Sequence, residues 1–144
     1  MKLIKKTKNK FIDGLWEYAF EESGKITLAD CWKAIEFICG IGDVGSIWVV
    51  EMHDPSDATV AGEVFDDVKE FSDWASKQED KPESEGGYEL DHAVVNIMVG
   101  EQNIRFEVAP LPTFGPKDRM IIFVETTDKS IGDKVVSRFA DFKL

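Results

Sequence analysis

Residues 92–109 read HAVVNIMVGEQNIRFEVA. Apolar and polar positions alternate, so Ala93, Val95, Ile97 and Val99 share one face. Ile104, Phe106 and Val108 form the matching face of a second strand. Pairing about Gly100-Glu101 or about Glu101-Gln102 sets apolar against apolar in both cases. A β-hairpin is therefore predicted, with its register open.

Downstream, Pro110-Leu111-Pro112-Thr113-Phe114-Gly115-Pro116 reads as a rigid loop excluded from a central strand. Residues 119–126 are apolar on both faces from Met120 to Val124, the pattern of a central strand. A closing helix is predicted from Ser130, with Ser130 and Asp133 as a capping box and Ile131, Val135, Val136, Phe139 and Phe142 as its stripe.

Upstream, residues 1–8 are expected to be a mobile or edge segment. Ile12, Leu15, Trp16, Ala19 and Phe20 recur at three-four spacing and predict a helix over 11–22. Thr27, with Asp30 three residues on, predicts the start of a second helix carrying Leu28, Cys31, Trp32, Ile35 and Ile38. Gly40, Gly42 and Gly45 end it, and their spacing after a helix is not a nucleotide-binding fingerprint. A strand follows over 47–53, then a turn at Asp54-Pro55-Ser56-Asp57 and a short return strand at 59–61. Residues 64–78 predict a third helix, and 79–89 an acidic loop. The reading is a single α+β domain over 1–144, order α-α-β-(β)-α-β-β-β-α, with a mainly antiparallel sheet of four to five strands covered by helices.

Charge is divided along the chain. The first ten residues hold five lysines and no acid, whereas the rest hold 12 basic and 28 acidic residues. Between Glu51 and Asp91 stand fourteen carboxylates and three lysines. Such a body repels nucleic acid and anionic membrane and steers basic partners toward it. With 43% apolar residues and sixteen aromatics, the chain has the material for a packed core. Cys31 and Cys39 lie ~12 Å apart along one helix, too far for a disulfide. No apolar run reaches the ~18 residues of a membrane span. The expectation is a cytoplasmic protein with reduced thiols.

No cofactor motif, zinc spacing, EF-hand loop or G-x-S-x-G elbow is present, and neither a metal nor a cofactor is predicted. Two surfaces carry functional expectations. The first is the acidic stretch Asp66, Asp67, Glu70, Asp73, Glu79, Asp80, Glu83 and Glu85, with Tyr88 as an aromatic anchor. It suits a non-enzymatic binder of a basic protein, with the physical profile of the small acidic immunity-type antidotes to bacterial toxins and nucleases. The second is a polar sheet face bearing Glu51, His53, His92, Asn96, Arg105 and Glu107. It is the alternative, a small-molecule site in which His53 and His92 act as acid–base groups and Arg105 clamps an anion. The expected state is a monomer or a weak homo-oligomer through Leu111 and Phe114.

Overall fold

A computed structural model describes residues 1–52, 62–112 and 117–144. The strands are β1 (Lys2–Lys8), β2 (Trp16–Ser23), β3 (Asp43–Glu51), β4 (Gly62–Phe65), β5 (Leu90–Val99), β6 (Gln102–Pro112) and β7 (Lys117–Thr126). The helices are α1 (Leu28–Cys39), α2 (Val68–Ala75) and α3 (Lys129–Ala140). All seven strands form one antiparallel sheet in the order β1-β2-β7-β6-β5-β3-β4. The class is α+β, but the sheet is larger than four to five strands and the element order differs from the one predicted.

The difference arises at β2. Its Trp16, Tyr18 and Phe20 follow a two-residue period, while Ile12, Leu15, Trp16, Ala19 and Phe20 also fit a helical one. The short apolar run satisfies both templates, and sheet neighbours on two sides decide for the strand. Residues 2–8 form the edge strand β1, and six of them pair with β2, from Lys2 opposite Glu21 to Lys8 opposite Trp16.

Hairpin β5–β6 turns on Gly100-Glu101, with Val99 opposite Gln102. Gly100 takes φ +62°, as the first central position of a II′ turn requires. Pro110 and Pro112 lie inside β6 rather than in a loop. They are accommodated because pairing with β5 ends at Val108, so the last residues of β6 bond to β7 alone. Residues 113–116, with Phe114, and the return strand at 59–61 lie outside the described residues.

Helix α1 starts as predicted. The Thr27 hydroxyl accepts from Asp30 N at 3.2 Å and the Asp30 carboxylate accepts from Thr27 N at 2.8 Å. Helix α2 is shorter than the predicted 64–78, because residues 62–65 pair with β3 first. Helix α3 is capped by Asp128, which accepts from Ile131 N at 3.1 Å, and not by Ser130.

The core lies between the sheet and the helices. Phe20 stacks on Phe139 with ring centroids 4.6 Å apart, and Phe37 stacks on Phe142 at 4.1 Å. A second aromatic cluster joins Trp32, Phe71, Trp74 and Tyr88 beneath α2. Fully burying each such ring contributes roughly 1.5–3 kcal/mol.

Helix α3 reaches the sheet at Gly132. A Cβ there would lie 2.3 Å from the hydroxyl of the buried Tyr18. Gly132→Ala gains about 1 kcal/mol of helix propensity, but overpacking of this kind costs about 1–3 kcal/mol. The variant is expected to melt below the parent in thermal denaturation. A higher melting temperature would show that α3 is not held at this distance.

Candidate functional site

The acidic stretch forms one flank of the molecule. Asp66 and Asp67 follow directly on β4, Glu70 and Asp73 lie on α2, and Glu83 and Glu85 lie in a single 3-10 turn. All six are exposed. Among the described residues, none of the six has an ion pair. Glu79 is paired with Lys81 at 2.7 Å, and that lysine holds its carboxyl below the usual range.

Two residues of the stretch have structural jobs. Asp67 is the N-cap of α2, accepting from Lys69 N at 3.3 Å. Asp80 accepts from Leu28 N at 2.9 Å, tying the acidic segment to the start of α1. Tyr88 is no exposed anchor. It is 7% exposed and packs on Trp32 and Trp74, and burial pushes its hydroxyl pKa up. The exposed apolar groups nearby are Trp48 (45%) and Val64 (67%), which face each other across β3 and β4. Their outward positions follow from strand alternation beside Ile47 and Val49, both fully buried.

The basic residues are engaged at the other end of the sheet. Lys5 pairs with Glu17 at 3.7 Å, Lys6 with Asp133 at 2.8 Å and Lys8 with Asp13 at 3.9 Å. Three of the four lysines of β1 thus meet nearby carboxylates and do not compensate the acidic flank. At the β1–β2 turn, the Asn9 side chain accepts from Phe11 N and Ile12 N at 2.7 Å each. This fixes Phe11 outward at 95% exposure.

The polar sheet face is partly assembled. Asn96 and Arg105 are cross-strand neighbours, and Arg105 lies 3.7 Å from Glu107 and 3.9 Å from Glu125. The Asn96 amide donates to Ser46 Oγ at 3.1 Å. His92 stands apart, bonded to Asp91 at 2.6 Å and edge-on to Trp48 at 6.0 Å. Glu51 is off this face, because alternation from the buried Ile47 and Val49 puts it on the core side of β3, opposite Leu90. It lies instead near Glu83 and Glu89, where burial first, and then those carboxylates, raise its pKa. His53 lies outside the described residues. Arg105 is therefore occupied by two internal carboxylates, and His92 does not join it.

A cleft of about 510 Å³ opens where the start of α1 meets the ends of β5, β6 and β7. Its apolar lining includes Ile26, Leu28, Met52, Leu90, Pro110 and Pro112, with Cys31, Tyr88 and the charged residues Asp80, Lys81, Glu89 and Lys117 beside them. Half-buried Lys117 donates from Nζ to the Leu90 carbonyl. Burial holds its pKa below that of an ordinary lysine, while Glu89, Asp91 and Asp80 act in the opposite direction. Sequence reading missed this cleft because its residues come from six separate segments, and no local motif marks Lys117.

Both cysteines are buried, and burial pushes each thiol up to about 12. Among the described residues, no three His, Cys, Asp or Glu side chains converge as metal ligands. No helix is long and apolar enough to cross a membrane. Comparison with protein-family models, with curated proteins and with solved structures finds no match to this chain.

Two outcomes follow from these pKa shifts. Relative to an ordinary thiol near 9, a pKa of about 12 lowers the thiolate fraction at pH 8 about a thousandfold. Iodoacetamide labelling of the native protein should be correspondingly slow, and fast labelling of either cysteine would contradict its burial. Glu51 has a folded pKa above its unfolded one. Protonation therefore favours folding, and stability at this site is lost as pH rises through that range. Glu51→Gln should stabilise the protein at pH 7 by less than about 0.5 kcal/mol, with the gain vanishing below pH 4. Equal effects at both pH values would dissociate Glu51 from the neighbouring carboxylates.

Proposed function

We propose that this protein is a non-enzymatic acidic binding module whose partner is a basic protein. In its most concrete form it is an immunity-type inhibitor that covers the cationic surface of a toxin or nuclease in the cytoplasm. The observation that carries the reading is that, among the described residues, Asp66, Asp67, Glu70, Asp73, Glu83 and Glu85 have no ion pair, set against the ion-paired Lys5, Lys6 and Lys8 of β1. Unneutralised carboxylates on one flank create a directional field that speeds encounter with a cationic surface. They also bind weakly by themselves, because exposed ion pairs contribute only about 0–1 kcal/mol each.

Affinity then needs an apolar centre. Trp48 and Val64 provide it: they stand opposite each other in the sheet, and Val64 precedes Asp66 by two residues in the chain. Large aromatic side chains with a polar surround are the groups that dominate interface energetics. The division of labour is specific: carboxylates set the association rate, and Trp48 sets the dissociation rate.

The test is affinity capture from the source cell's lysate and culture fluid, at low and high salt, with two variants beside the parent. The first reverses Asp66, Glu70, Asp73, Glu83 and Glu85 to lysine and spares the capping residues Asp67 and Asp80. The second is Trp48→Ala. A stoichiometric basic protein should be held by the parent, released by salt and lost by the charge-reversed variant. Trp48→Ala should retain the association rate and dissociate at least about tenfold faster. Retention of the same protein by the charge-reversed variant would rule out the acidic flank as the binding surface.

A further inference from the structure

The cleft at the start of α1 plays no part in protein capture by the acidic flank, and it has features of its own. At about 510 Å³ it falls within the size range of small-ligand sites. Its walls are mainly apolar side chains and include three prolines, Pro82, Pro110 and Pro112, which stiffen the lining. The charged groups lining it are not equivalent. The Asp80 carboxylate is engaged by Leu28 N, and the Lys81 ammonium by Glu79. Among the described residues, the Lys117 ammonium makes one hydrogen bond, to the Leu90 carbonyl, and no carboxylate lies within ion-pairing distance of it. An ammonium offers three donors, so two remain for another group. The N-terminus of α1 on the same cleft is already met by the Asp80 and Asp30 carboxylates, which leaves Lys117 as the cationic group of the cleft open to a ligand.

We infer that the cleft binds a small carboxylic acid with an apolar body. Its carboxylate accepts from Lys117 Nζ, and its body lies against Ile26, Leu28, Met52, Leu90 and Pro110. The same chemistry is presented by a free acid and by the C-terminal residue of a peptide. Glu89, also lining the cleft and without an ion pair among the described residues, sets an upper limit on the negative charge the ligand carries. A dicarboxylate is therefore disfavoured. The inference stands on the cleft alone and does not depend on the acidic flank having a partner.

The probes are 3-phenylpropionate and hexanoate, each against its primary amide, together with a short peptide ending in phenylalanine as free acid and as amide. Binding is read from amide shifts in the NMR spectrum of the native protein. The acids should perturb Leu28, Cys31, Leu90 and Lys117, and each amide should bind at least about tenfold more weakly than its acid. Lys117→Met, which keeps the aliphatic stem, should lose the preference for acid over amide. Glu89→Gln should tighten acid binding severalfold by removing a like charge. Acid binding should also fail as pH rises through the lowered Lys117 pKa, earlier than an ordinary lysine would dictate. Tighter binding of the small acids than of the peptide acid would assign a metabolite-sized ligand, and the reverse a chain terminus. Equal affinity for acid and amide on the parent protein, or no shifts at millimolar probe, would overturn the inference whether or not the variants fold.

Discussion

Tyr18, Val124, Phe106, Val95 and Ile47 stand side by side on five neighbouring strands, and each is almost wholly buried. This row is the constraint on which the rest depends. With all three helices on one face, the sheet buries its inner side against a single layer, and a one-residue slip in any strand would move an apolar side chain out of the core. The register that satisfies the row also sets the outer face. It puts Asn96 beside Arg105, and it turns Trp48 and Val64 outward together at the β3–β4 edge. Position on the outer surface is thus a by-product of packing on the inner one.

Legibility in the sequence tracks how local the deciding interaction is. The capping box of Thr27 and Asp30, the stripe of α1 and hairpin β5–β6 all rest on contacts a few residues apart, and they were readable. Strand β2 was not, because Trp16, Tyr18 and Phe20 acquire their meaning from β1 on one side and β7 on the other. Charge composition located the acidic flank, yet it could not distinguish Glu70, which points to water, from Asp80, which caps a helix 52 residues earlier in the chain. Nor could it show that Tyr88 fills the gap between Trp32 and Trp74. The cleft around Lys117 was invisible for the same reason: it exists only where separate segments meet.

The charge division along the chain becomes a division in space. Lys5, Lys6 and Lys8 are matched by Glu17, Asp133 and Asp13, so three of the five lysines in the most basic part of the sequence are paired. Lysines on an edge strand also discourage pairing with a second sheet, a common protection for such edges. On the opposite flank Glu79 alone has an ion pair among the described residues. A formal charge of −11 is therefore concentrated rather than spread. That arrangement leaves the fold's own stability to the aromatic core, and within this flank only Asp67 and Asp80 have a capping role.

Strand β2 bonds only to β1 and β7, and Trp16 faces Thr126 about a hundred residues further along the chain. A ribosome delivers β7 about a hundred residues after β2. Until β7 emerges, hairpin β1–β2 has no sheet to join, and its aromatic side chains have neither Val124 nor Phe139 to pack on. The β1–β2 part of the sheet is thus completed only after β7 is made. During that interval its apolar face is open to unwanted association.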